Sequence, residues 1–121
     1  MKKLVLTVDD SKTIREMVSF TLKNADFDVV EACDGEEGLK ILENKTPDLI
    51  ISDVNMPKLD GFSFVKALRC LPKFKHVPVL MLTTEQTDEK KAEGRAAGAT
   101  GWIVKPFDPE KLIQVVNKVC G

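Results

Sequence analysis

Short apolar runs recur along this chain with amphipathic stretches of about ten to fifteen residues between them, and this alternation constrains the fold most. Residues 3–8 (KLVLTV) read as a buried strand. Residues 11–24 follow with Ile14, Met17, Val18 and Leu22 at helical spacing, which predicts a helix packing on one face. Residues 28–33 form a half-polar strand suited to a sheet edge. Asp34 then caps a helix, with Glu37 three residues later as in a capping box, Leu39 and Leu42 facing inward, and Glu43-Asn44-Lys45 closing it. A strongly apolar third strand spans 48–53 (DLIISD), and a helix over 61–71 carries Phe62, Val65 and Leu68 on one stripe.

The second half repeats the pattern. Residues 77–83 (VPVLMLT) read as a fourth strand with Pro78 near its start, where a missing donor is tolerated. An alanine-rich polar helix over 88–97 ends at Gly98, and a fifth strand covers 100–105. Asp108 and Pro109 begin a last helix, with Leu112, Val115, Val116 and Val119 inward. Five strands alternating with five helices predict an α/β fold: a doubly wound, five-stranded parallel sheet covered on both faces, in the flavodoxin-like order 2-1-3-4-5. No repeat or linker interrupts residues 1–121, so the chain reads as one domain.

Composition narrows the function. The chain has 18 basic and 19 acidic residues, a net charge of -1, and so no global field to attract nucleic acid or an anionic membrane. The apolar run after Lys2 and Lys3 ends at Asp9-Asp10, too soon for a signal peptide or a membrane span of roughly 20 residues. A cytoplasmic, monomeric protein is expected. Cys33, Cys70 and Cys120 are widely spaced and lack a CxxC pair, as expected of reduced thiols.

The chemistry gathers at strand ends. The first strand ends in Asp9-Asp10, the third in Asp53, the fourth in Thr83-Thr84 and the fifth in Lys105-Pro106. In an open parallel sheet these carboxyl ends share one edge, and ligands bind there. Three carboxylates so placed repel: at about 4 Å and an effective dielectric near 20, each pair costs roughly 4 kcal/mol. A hard divalent cation such as Mg²⁺ is the natural remedy, with Lys105 as a further positive charge. Asp53 is then a candidate nucleophile toward phosphorus, since carboxylates form aspartyl phosphates. Any one of these residues alone would read as a turn former, a cap or a solvated charge. Their joint placement is what points to a site.

These residues carry a resemblance. The segment Asp53-Val54-Asn55-Met56-Pro57-Lys58-Leu59-Asp60-Gly61 resembles the phosphoacceptor loop of bacterial response-regulator receiver domains. Asp9-Asp10, Thr83, Gly98-Ala99 and Lys105-Pro106-Phe107 match that family in order and spacing, across essentially the whole chain. Among receivers the likeness is to stand-alone chemotaxis regulators of the CheY type.

The resemblance implies that Asp53 takes a phosphoryl group from a histidine kinase. It implies that Asp10, Asp53 and the backbone carbonyl of Asn55 ligate Mg²⁺, with Asp9 acting directly or through water. Thr83 would donate its hydroxyl to the phosphoryl group and Lys105 would pair with it, while the Lys105-Pro106 bond would be cis. Asp60-Gly61 would shape the entry to the third helix, where Gly61 can take a conformation other residues avoid. Asn55 and Glu85 would border the path of an attacking water, with a solvated loop charge as the plainer reading of Glu85; Thr84 and Pro106 flank the same region. Trp102 stands where relatives carry Tyr or Phe, a ring that moves inward as the residue matching Thr83 is drawn to phosphate. Its alternative is an aromatic packed on the sheet's rim. The lone His76 reads as a surface loop residue.

The implied function is a phosphorylation-switched signalling domain, not a classical enzyme, with the fourth helix, fifth strand and last helix as its protein-binding face. The implied partners are a kinase, a downstream target such as a flagellar motor switch, and a phosphatase. Beside it stand a degenerate, unphosphorylated receiver, for which an expected residue would have to be missing, and three further alternatives. One is a receiver excised from a larger regulator. Another is a Mg²⁺-dependent phosphohydrolase, which would place its nucleophile in a DxD after the first strand. A flavodoxin-like cofactor binder would need a Ser/Thr/Gly-rich loop where Asp9-Asp10 stand.

Overall fold

The computed structural model describes residues 2–56, 58–84 and 87–120. In chain order it comprises β1 (Leu4–Val8), α1 (Lys12–Asn24), β2 (Asp28–Ala32), α2 (Gly35–Leu42), β3 (Leu49–Asp53), α3 (Gly61–Arg69), β4 (Val79–Thr83), α4 (Asp88–Ala97), β5 (Gly101–Val104) and α5 (Pro109–Cys120). All strand pairs are parallel, and their order is β2-β1-β3-β4-β5. The expected doubly wound sheet is present, with β2 at one edge. No helix among the described residues is long and apolar enough to cross a membrane.

Alternation along each strand divides the apolar side chains between two cores. Leu6, Val8, Ile50 and Met81 face Leu42, Phe64, Val65 and Leu68 of α2 and α3. Val5, Leu49, Ile51, Leu80 and Leu82 face Val18 and Leu22 of α1 and Leu112 and Val116 of α5. With both faces covered, the central strands β3 and β4 are buried at every position.

Side-chain caps start the helices. Ser11 accepts a hydrogen bond from the Ile14 N–H, Asp34 from Glu37, Asp60 from Ser63 and Thr87 from Lys90. Asp108 accepts from the Glu110 N–H, the cap expected ahead of Pro109. The box at α2 is offset: Glu37 Oε1 accepts from the N–H of Cys33, one residue before the cap. Gly98 ends α4 in the left-handed region at φ 110°.

Several expectations need correction. Ser11 caps α1 from outside it, and β4 begins at Val79, with Pro78 just ahead and its carbonyl accepting from the Ile50 N–H. Met17 does not face inward: it is 47% exposed, because Val18 and Leu22 already fill the α1 stripe. A 3₁₀ turn over Pro72–Phe74 follows α3 and buries Phe74. Gly61 does not use the left-handed region. In that loop it is Lys58, at φ 68°, that does.

Candidate functional site

The strand register assembles the site. Val8 pairs with Ser52, so Asp9 and Asp53 leave the sheet side by side, and Thr83 pairs with Val104, which brings Lys105 to the same edge. The Lys105 N–H donates to the Thr83 carbonyl at 2.8 Å, carrying the β4–β5 ladder one residue past the strand. The Lys105-Pro106 bond is cis.

Carboxylate oxygens of Asp9, Asp10 and Asp53 all lie within 4.8 Å of one another. Asp9 and Asp53 are buried and Asp10 is exposed. Lys105 Nζ stands 3.1 Å from Asp53 Oδ1 and 3.2 Å from Asp9 Oδ2, bridging the buried pair. Burial, and then repulsion from Asp9, pushes the Asp53 carboxyl above the ordinary carboxylate value despite the pull of Lys105. Burial alone would lower the Lys105 ammonium, but its contacts with Asp53 and Asp9 outweigh that and hold it above the usual amine value.

One ammonium against three carboxylates leaves the cluster short of positive charge. Asp9 Oδ2 is buried and makes no hydrogen bond of ordinary geometry, even with Lys105 Nζ nearby. A buried carboxylate oxygen with that need, beside two more oxygen donors, suits a hard divalent cation.

Asp9 is also held through its backbone and its other carboxylate oxygen. Its N–H donates to the Ala32 carbonyl (3.1 Å), its Oδ1 accepts from the Ser11 N–H (2.9 Å), and its carbonyl accepts from Arg15 Nη1 (2.7 Å). Arg15 Nε in turn donates to Glu31 Oε1 of β2 at 3.0 Å. The loop after β3 is pinned against α2: Lys58 Nζ lies 3.8 Å from Asp34 Oδ2, and a Cβ on Gly35 would meet Leu59 at 3.0 Å.

The remaining expected residues are more dispersed. Thr83 is buried at the end of β4 and Thr84 beyond it is exposed. Asn55 is exposed and lines a cleft with Asp60, Phe62 and Lys90. Pro106 and His76 are exposed. Glu85, like Pro57 of the loop, falls outside the described residues. Trp102 is half-buried on β5, edge-on to Phe62 with ring centroids 6.0 Å apart and planes at 73°.

Sequence reasoning missed Arg15, an unremarked charge one turn into α1, and Gly94, which makes room for the Trp102 indole. A glycine inside an alanine-rich helix was the available sign of the second. Nothing in the sequence marked the first.

Residues 5–117 match the family described as the response regulator receiver domain. The chain belongs to that family. The receiver superposes on chemotaxis protein CheY4 of Vibrio cholerae with a TM-score of 0.96 and 53% identity, covering 98% of this chain and 99% of that one. It is 38% identical to the sensor histidine kinase CheAY of Helicobacter pylori over 95% of this chain, and 40% identical to the regulatory protein PhoP of Bacillus subtilis over 93%. It spans only 15% of CheAY and 46% of PhoP. Receivers are signalling domains of two-component systems rather than classical enzymes. They partner histidine kinases as phosphodonors and bind Mg²⁺ at their acidic pocket.

Proposed function

We propose that this receiver accepts a phosphoryl group on Asp53 from a histidine kinase and thereby switches a protein-binding face, in chemotaxis or motility. The observation that carries this reading is the cluster of Asp9, Asp10 and Asp53 within 4.8 Å, bridged by Lys105. The likeness to CheY4 supports the chemotactic setting.

Asp10, Asp53 and the Asn55 carbonyl, with Asp9, are the residues that would hold Mg²⁺. When bound, the ion offsets carboxylate charge and draws electron density from phosphoryl oxygens. The chain's own residues do the rest by positioning and electrostatics. An Asp53 carboxylate oxygen forms the bond to phosphorus while the phosphorus–nitrogen bond to the donor imidazole breaks, and the imidazole leaves with the electron pair. Lys105 then shifts from pairing the carboxylate to pairing the phosphoryl oxygens, and Thr83 donates its hydroxyl to the same group. Asn55 flanks the approach of water, and Thr84 and Pro106 shape the adjoining loops.

Output follows from a population shift. Phosphorylation moves an equilibrium between two shapes of the α4, β5 and α5 face by no more than its differential stabilisation of one of them. The partner is a protein target such as a flagellar motor switch, and a phosphatase resets the system. This reading treats residues 1–121 as one domain acting as a monomer in the cytoplasm. A phosphohydrolase is disfavoured because its nucleophile would stand in a DxD after the first strand, where this chain reads Val8-Asp9-Asp10-Ser11.

The test is labelling with acetyl phosphate and Mg²⁺. The native chain is expected to take up one acid-labile phosphoryl group, and Asp53→Asn none while keeping its fold. Stoichiometric label in the variant would place the acceptor elsewhere. Capture with the beryllofluoride-treated protein, compared with Asp53→Asn, identifies the target.

A further inference from the structure

We infer that Arg15 is a positioning residue for the acidic pair, fixing the peptide between Asp9 and Asp10 so that both carboxylates serve one divalent cation. The inference rests on the metal-dependent reading above. Its basis is the two-point clamp on the guanidinium. Nη1 donates to the Asp9 carbonyl at 2.7 Å and Nε to Glu31 Oε1 at 3.0 Å, with the Arg15 side chain only 16% exposed. A planar fork bonded at two sites has little freedom to swing.

The carbonyl it grips belongs to the same rigid peptide plane as the N–H of Asp10. Holding that oxygen therefore fixes the direction in which the chain, and the exposed Asp10 carboxylate, leaves β1. The Asp9 N–H and Oδ1 are held separately, by Ala32 and Ser11. Arg15 thus supplies the remaining restraint on the peptide, while Asp9 Oδ2 makes no hydrogen bond of ordinary geometry although Lys105 Nζ stands 3.2 Å away. Glu31 has a second role. It neutralises the guanidinium, so the clamp brings little net positive charge toward a cation site.

Position and charge make opposite predictions, which gives the test its force. Removing a positive charge near a cation site tightens cation binding if Coulomb repulsion is all that matters. Removing a positioning bond weakens it. Mg²⁺ is titrated calorimetrically into the metal-free native chain, Arg15→Met, Arg15→Lys and Glu31→Gln, with thermal unfolding in chelator confirming that each is folded. Arg15→Met is expected to bind Mg²⁺ about tenfold more weakly, the low end for groups that orient metal ligands. Arg15→Lys, which keeps one donor, recovers part of the loss, and Glu31→Gln weakens binding by freeing the guanidinium. Affinity in Arg15→Met equal to or tighter than native overturns the inference. Should that variant fail to fold, unchanged affinity in both Arg15→Lys and Glu31→Gln overturns it instead. Failure of the native chain to bind Mg²⁺ overturns the metal-dependent reading itself, an outcome distinct from the other two.

Discussion

The indole of Trp102 lies against the backbone of Gly94: a Cβ built on that glycine would stand 2.3 Å from Cζ2 and 2.8 Å from Cη2 of the ring. Glycine inside a helix costs about 1 kcal/mol relative to alanine. Here the cost leaves space on α4 for the indole ring. The aromatic of β5 and the helix beside it are therefore matched in shape.

Gly94→Ala tests that match. Helix propensity favours the change, but the added methyl must displace an indole already packed on Phe62, and such overpacking costs about 1–3 kcal/mol. A net loss of about 1 kcal/mol is expected in urea unfolding, with a shift in tryptophan emission. Greater stability with unchanged emission would show that the ring yields freely.

Trp102 is the only tryptophan, so its emission tests the proposed switch without labels. Emission is expected to change when Mg²⁺ and a small phosphodonor are added. An unchanged spectrum, with phosphorylation confirmed by mass spectrometry, would leave Trp102 as a packing residue of the β5 edge.

Gly61 is required for close approach rather than for an unusual φ. A Cβ there would lie 2.2 Å from the Asp53 carbonyl oxygen and 2.9 Å from the Val54 Cα, and backbone cannot give way as a flexible side chain can. Gly61→Ala is expected to cost about 2–3 kcal/mol in urea unfolding and to slow phosphorylation by acetyl phosphate as Asp53 is displaced. Native rates and stability would show that the β3–α3 loop accommodates the methyl.

Asp53 is expected to weaken the fold at neutral pH in chelator. Its folded pKa lies above the ordinary value, through burial first and the Asp9 charge second, so the protonated form favours folding. That contribution is full below the unfolded-state pKa and is lost as pH rises through the raised folded value. In chelator, Asp53→Asn is expected to be more stable than the native chain at neutral pH. The advantage shrinks at acid pH, where the native carboxyl is protonated, and on adding Mg²⁺. Urea midpoints across pH, with and without Mg²⁺, measure it. A lower midpoint for Asp53→Asn in chelator at neutral pH would mean that its pairing with Lys105 outweighs burial and repulsion.

The elements were legible because their signals are local. The runs LVLTV and LIISD, the stripe of Phe62, Val65 and Leu68, and the caps at Asp34 and Asp108 declare themselves within a few residues. The site's outline was legible too, since a parallel sheet must gather its strand ends at one edge. Met17 misled because helical spacing shows a stripe but not where its margin meets solvent. The 3₁₀ turn at Pro72–Phe74 has no periodicity to read.

Residue order alone accounts for the alternating strands and helices, for the carboxylates, hydroxyl and amine at the strand ends, and for the family resemblance. How those groups meet depends on the folded arrangement. It set Lys105 between Asp53 and Asp9, Arg15 on the Asp9 carbonyl, Gly61 against the Asp53 backbone and Trp102 over Gly94. The physical reason is range: propensity, capping and periodicity act over a turn or two of chain, whereas ion pairs and close packing join residues distant in sequence, at separations fixed only once the sheet has formed.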